Sequence, residues 1–182
     1  MALTYELATL TEVSSPLLDS LRQMVVLACW KVNQVSTVAL DATELQQQMQ
    51  IIFDDIQNSI LPMPFDLHGL SGADLDVLSS SLFEVNRTAC FLLLAGIRAG
   101  LHSFSPTIAE WVKEVQTQVN AVSFVRNVLP DQYLFAACIA RSLAADPDMS
   151  FMNSLIASVN DQSVKAMAHL ILTTAHSRDP VW

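Results

Sequence analysis

Glycine is scarce in this chain of 182 residues, and so are the motifs that need it. The four glycines, Gly69, Gly72, Gly96 and Gly100, build neither a phosphate-binding loop nor a dinucleotide-binding fingerprint. No serine lies in a Gly-x-Ser-x-Gly turn, and no cysteine has a histidine close to it in sequence. A nucleophilic site would need residues assembled from distant positions. We therefore expect no catalytic residues and a protein that is not an enzyme.

Charge and long apolar runs are also limited. Charged residues make up 15% of the chain and hydrophobic residues 52%, against roughly 25% and 45–50% in typical globular domains. Even so, no uninterrupted apolar stretch reaches the ~20 residues of a spanning helix. Glu6 and Glu12 lie near the N-terminus without a basic region, which argues against a secretory signal. We expect a cytoplasmic protein without a transmembrane segment. This expectation also covers a protein that becomes part of a virion or of a secretion assembly.

Cysteine is limited to three residues, an odd number, and each lies within an apolar helical run. These are Cys29, Cys90 and Cys138. Free cysteine in such a run behaves as a small hydrophobic side chain. We expect all three to be reduced core residues.

Positive charge is absent from residues 32–86, which hold eight of the eighteen acidic residues. The rest of the chain is nearly balanced, and the net charge is −9. Such a field repels nucleic acid and attracts basic protein surfaces. We therefore expect no nucleic-acid binding and a basic protein partner. The candidate partner-binding acids in this tract are Glu44, Asp54, Asp55, Asp74 and Asp76.

Helical periodicity runs through nearly the whole chain. Capping residues, prolines and apolar spacing predict helices at about 15–35, 41–60, 71–100, 105–129, 131–145, 149–159 and 162–175. Ile108, Val112, Val115, Val119 and Val122 form a heptad seam in the fourth of these. We predict an all-α bundle of six or seven helices in a single domain, residues 1–182. Residues 1–13 are expected to form a short helical N-terminal arm and residues 177–182 an irregular tail.

The segment 131–145 is rich in alanine and apolar on all sides, which predicts the central helix of the bundle. Two arginines interrupt apolar helices. Arg98 lies near a helix end, from which its side chain can reach water. Arg141 lies well inside its helix, so we expect it to form a buried ion pair or to contact a partner.

Metal and cofactor sites are not expected. His169 and His176 lie on one helical face, seven residues apart, but tetrahedral zinc would need two further ligands. Asp54 and Asp55 are adjacent in a helix and point about 100° apart, so they do not converge on one ion. Solvation of the helix, with contacts to a basic partner, is the simpler role for this pair.

Three functions are compatible with these patterns. The favoured one is an interaction or assembly subunit, such as a structural component, acidic chaperone or adaptor, that binds a basic protein and forms an oligomer. The alternative is a helical carrier of an apolar small molecule. The least favoured is a metal-dependent or hydrolytic enzyme. Small acidic secretion chaperones and some structural proteins of viruses share this composition. The likeness is one of composition alone.

Overall fold

The chain folds as a bundle of α-helices in the residues that its computed structural model describes, which are 2–37, 42–61, 64–65, 67, 69–99, 106–126, 128–144 and 150–176. This confirms the all-α prediction. The helices of the described ranges are α1 (Ala2–Leu10), α2 (Ser15–Thr37), α3 (Ala42–Asn58), α4 (Ala73–Ala99), α5 (Pro106–Ser123), α6 (Asp131–Ser142), α7 (Ser150–Ser158) and α8 (Gln162–His176). Buried apolar side chains from every one of these helices belong to one core cluster. The predicted tail, 177–182, lies outside the described residues.

The described residues form eight helices where the sequence predicts six or seven, and the N-terminal segment accounts for the difference. Helix α1 packs against α2, α6 and α8, and its Leu7 and Ala8 are fully buried. Glu12 has a φ of 56°, and the Val13 amide donates to the Ala8 carbonyl at 3.3 Å, in the left-handed turn that often closes a helix. A helix of nine residues is marginal in isolation. Packing against the bundle therefore stabilises it.

Helix α6 is the centre of the bundle, as the sequence predicts. Every residue from 132 to 141 is buried. Helices α1, α4, α5, α7 and α8 all contact it. The small side chains of Ala136, Ala137 and Ala140 favour close approach of these neighbours, because helix separation depends on the side chains at the contact.

Helix α4 is the longest of the described helices, at 27 residues. Its Ala73–Arg98 stretch has the length and mean hydropathy, 1.3, of a helix that could cross a membrane. However, 56% of the most apolar part of this stretch is buried inside the bundle. Core helices can have the same length and mean hydropathy. Within the bundle, the amide nitrogen of Asn86 donates to the carbonyls of Leu82 and Gln132, both at 3.1 Å. This buried amide links α4 to α6.

Helix α5 carries the predicted heptad seam, and all five of its residues are buried. The helix ends at Ser123, six residues before the predicted end. Two tight turns follow, in which the amides of Val125 and Val128 donate to the carbonyls of Val122 and Val125, each at 3.0 Å. These turns lead the chain to Pro130 and the start of α6.

The prediction for the cysteines is wrong at one position. Cys90 and Cys138 are buried, but Cys29 is exposed. Met24 and Leu27 occupy the inward face of α2, and Cys29 lies on its outer side. Residues 24–30 are apolar in every direction, so periodicity alone does not show which face turns inward.

Two phenylalanines provide a matched test of the core. Phe135 in α6 is fully buried, whereas Phe124 is 88% exposed. We expect Phe135→Ala to lower the free energy of unfolding by about 3–5 kcal/mol, because it leaves a cavity at the centre. Phe124→Ala should change it by less than about 0.5 kcal/mol. Urea unfolding measures both, and equal losses in the two variants would contradict the central position of α6.

Candidate functional site

Helix α3 lies at the edge of the bundle. Among the described helices it contacts α2 and α4 alone. Its buried residues, Leu45, Ile52 and Ile56, form a single stripe. The apolar pattern of residues 41–60 predicts that Phe53 and Ile60 share the buried face with these residues, but both are exposed. The one-sided packing narrows the buried stripe, and Ile60 lies beyond the end of the helix.

A groove of about 380 Å³ lies along the contact between α2 and α3 and is lined by residues of both helices. Beside it, Val26 on α2 is 69% exposed and Ile51 on α3 is 53% exposed. The Gln23 amide donates to the Asp55 carboxylate at 2.9 Å and connects the two helices. The residues that line the groove are Arg22, Gln23, Val26, Leu27, Trp30, Glu44, Gln48 and Ile52.

The five predicted acidic residues lie on two helices. Glu44 lines the groove, and Asp55 borders it through Gln23. Asp54 accepts a hydrogen bond from Gln50 at 2.8 Å, so the hydrogen bonds to Asp54 and Asp55 come from neutral amides. Asp74 and Asp76 lie instead in the first turn of α4, where negative charge complements the helix dipole. The structure therefore associates three of the five acids with α3 and gives the other two a helix-stabilising position.

The two arginines of interest differ in burial. Arg98 is exposed, in agreement with its expected extension to water. Arg141 is buried, at 6% exposed, and the ion pair or partner contact expected of it stays a prediction. It lines a cavity between α5, α6 and α7, which is separate from the α2–α3 groove.

A row of aromatic rings joins α3, α4 and α5, and the sequence does not predict it. The ring centroids of Phe53 and Phe91 are 4.9 Å apart, and those of Phe91 and Trp111 are 6.0 Å apart, edge to face. A cavity of about 410 Å³ lies beside the row. Arg87, which also lines it, pairs with Glu84 at 2.7 Å. The rings come from three helices, so no local spacing could have revealed the row.

The buried thiols and the histidines show no arrangement for catalysis within the described residues. Burial raises the pKa of Cys138 to about 12 and also raises that of Cys90, which makes both thiols poor nucleophiles. In the same part of the chain, no group of three His, Cys, Asp or Glu side chains could hold a metal ion. His169 is exposed, while the side chain of His176 lies outside the described residues.

Comparisons with protein-family models, with curated proteins and with solved structures give no match for this chain. The fold and the site together define a class: a helical bundle with an acidic outer helix and an apolar groove beside it. A functional proposal for this chain depends on that geometry.

Three carboxylates come together where α1 ends and where α6 and α8 begin. Desolvation, followed by the charges of Glu12 and Asp161, raises the pKa of Asp131. Asp161 caps α8, since its carboxylate accepts the amide of Ser163 at 2.7 Å. A raised pKa means that the folded protein holds the proton of Asp131 more tightly than the unfolded chain does. Ionised Asp131 therefore disfavours folding at neutral pH.

Replacing Asp131 tests this conclusion. We expect Asp131→Asn to raise the free energy of unfolding near pH 7, with the gain disappearing as the pH falls below about 4, where wild-type Asp131 is protonated in both states. Asp74→Asn is the matched control, because Asp74 also lies in the first turn of a helix. It should lower the free energy of unfolding near pH 7. Chemical unfolding at several pH values gives the comparison, and a loss of stability in Asp131→Asn near pH 7 would contradict it.

Proposed function

We propose that this protein is a non-enzymatic interaction or assembly subunit that binds a basic, amphipathic helix of a partner protein in the α2–α3 groove. The observation that carries the proposal is the outward face of α3. It combines exposed apolar side chains with carboxylates, and residues 32–86, which include all of α3, contain no lysine or arginine. A surface whose apolar side chains are flanked by negative charge favours a partner helix that carries apolar side chains and positive charge.

The apolar part of the surface consists of Val26, Ile51 and the half-buried Trp30. Ile51 lies three and four positions before Asp54 and Asp55, so the two carboxylates flank it on the helix surface. Glu44 and Asp55 are eleven residues apart on α3, or roughly 16 Å along its axis. That spacing suits a partner helix with basic residues about three turns apart and apolar residues between them.

The basic side chains near the groove are engaged with the protein itself. Arg22 pairs with Asp19 at 3.2 Å, and its Nε donates to the Tyr5 hydroxyl at 2.7 Å. Lys31 donates to the carbonyls of Ile97 and Arg98 at the C-terminal end of α4, where the helix dipole favours a cation. Burial lowers the pKa of Lys31. These two cations therefore have partners within the protein, and α3 itself carries no lysine or arginine.

A synthetic peptide provides a direct test. The probe is a helix of about five turns with leucines at i, i+3, i+4 and i+7 on one face and lysines on the other. We expect it to bind the full chain, and a peptide with glutamate in place of lysine not to bind. The affinity should fall between about 50 mM and about 500 mM salt, because exposed charges are screened. Fluorescence anisotropy measures each affinity, and equal binding of both peptides would contradict the proposal.

Two valines of nearly equal exposure locate the binding surface. Val26 beside the groove is 69% exposed, and Val77 on α4 is 68% exposed. We expect Val26→Lys to weaken binding of the lysine peptide by about tenfold or more, because it removes an apolar contact and adds repulsion. Val77→Lys should change the affinity less than twofold, roughly the effect of a neutral surface contact. Equal weakening by both variants would place the binding surface elsewhere.

A second copy of this chain is a competing occupant of the groove. A homodimer formed there would bring acidic surfaces together, so it should be favoured by salt, whereas binding of a basic partner is weakened by it. Sedimentation velocity at both salt concentrations distinguishes the two. The proposal of a basic partner would be overturned by a homodimer that becomes stronger at high salt and is lost in the Val26→Lys variant.

A further inference from the structure

A second cavity, of about 420 Å³, lies between α5, α6 and α7. Its volume falls within the roughly 300–1,000 Å³ of sites that hold small molecules. Helix α3 contacts none of these three helices within the described residues, so the cavity and the α2–α3 groove are separate sites. The described residues that line the cavity are Gln116, Val119, Asn120, Ala137, Ala140, Arg141, Phe151 and Met152.

Arg141 is the one ionisable residue among the described residues of that lining, and it is 94% buried, since 6% of it is exposed. A cation removed from water interacts strongly with an anion at hydrogen-bonding distance. A guanidinium carries five N–H donors in a planar fork that matches a carboxylate. It can therefore hold a ligand in addition to its contacts within the protein.

The remaining lining residues fit a ligand that is mainly apolar. Val119 and Met152 are buried, and on α6 the alanines 137 and 140 leave space beside Arg141. Phe151 is exposed and offers an aromatic surface at the solvent side. Gln116 and Asn120 on α5 are exposed and add amide hydrogen-bonding groups. The cavity thus combines one cationic group, an apolar wall and an amide edge.

We propose that this cavity binds a small carboxylate with an apolar tail. Arg141 holds the carboxylate, and the tail packs against Val119, Met152 and Phe151. The chain has a net charge of −9, which repels anions in general. An anion bound here is therefore held by local contacts and not by the overall field. The site is independent of the proposed binding of a basic helix.

Octanoate is the probe, and octanol and octylamine are its matched controls, since each of the three has a chain of eight carbons. Each is titrated into the full chain labelled with 15N, and amide shifts are followed. We expect octanoate to bind with a dissociation constant of about 1 mM or lower, in the range of a small fragment. Its shifts should centre on α5, α6 and α7. Octanol and octylamine should bind about tenfold more weakly or not at all. Equal affinities for all three would overturn the proposal, because the tail alone would then account for binding.

Two substitutions of the same kind separate the site from general charge effects. Asn120→Asp adds a carboxylate at the exposed edge of the cavity, and we expect it to weaken octanoate binding about tenfold. Asn58→Asp adds the same charge at the end of α3 and should leave the affinity unchanged within about twofold. Similar weakening in both variants, or none in either, would contradict binding at this cavity.

Replacing the arginine tests the recognition group itself. Arg141→Lys should retain part of the octanoate affinity, while Arg141→Met should abolish the preference for octanoate over octanol. Circular dichroism establishes whether each variant is folded. Should Arg141→Met not fold, the Asn120→Asp and Asn58→Asp pair still decides the question. A folded Arg141→Met protein that prefers octanoate as strongly as wild type does would refute the role of the guanidinium.

Discussion

The rest of the structure depends on the burial of α6 on every side. A helix that is apolar all round cannot present a face to water without a large loss of hydrophobic stabilisation. Other helices must therefore surround it, and α1, α4, α5, α7 and α8 do so. Even the short helices α1 and α7 belong to this layer. The requirement to cover α6 organises most of the bundle.

The position of α3 follows from the same constraint. With α6 already covered, α3 packs on α2 and α4 at the outside and buries one narrow stripe. Its remaining surface carries the acidic and glutamine side chains that the sequence places there, together with Ile51 and Phe53. An outer helix of this kind can contact a partner without disturbing the core. This is the physical basis for proposing an interaction surface on α2 and α3.

Buried polar groups fix the arrangement further. The Asn86 amide donates to backbone carbonyls in α4 and α6, and the Gln132 amide donates to the Glu12 carboxylate at 3.2 Å, between α6 and the end of α1. Each link would be costly to break, because a buried polar group without a partner keeps its desolvation penalty. Arg141 belongs to the same class of buried polar residue, but it lines a cavity large enough for a ligand.

Features that depend on local periodicity could be predicted from the sequence. The heptad seam of α5 and the buried α6 are of this kind, and the burial of Arg141 follows from its position inside an apolar helix. Cys29 and Val26 could not be assigned to the outer face of α2, since their neighbours are apolar in every direction. The aromatic row and the two cavities could not be predicted either. They depend on how separate helices pack, which no single segment encodes.

Native-state hydrogen exchange compares α6 and α3 most directly. We expect the amides of Leu134, Cys138 and Ala140 in α6 to exchange only when the whole bundle unfolds, with a free energy equal to that of global unfolding. Amides of α3 should exchange through a local opening of lower free energy, because α3 is packed on one side. Exchange from α6 through a local opening, at a free energy below that of global unfolding, while α3 is protected to the global limit, would contradict the central position of α6 and the outer position of α3.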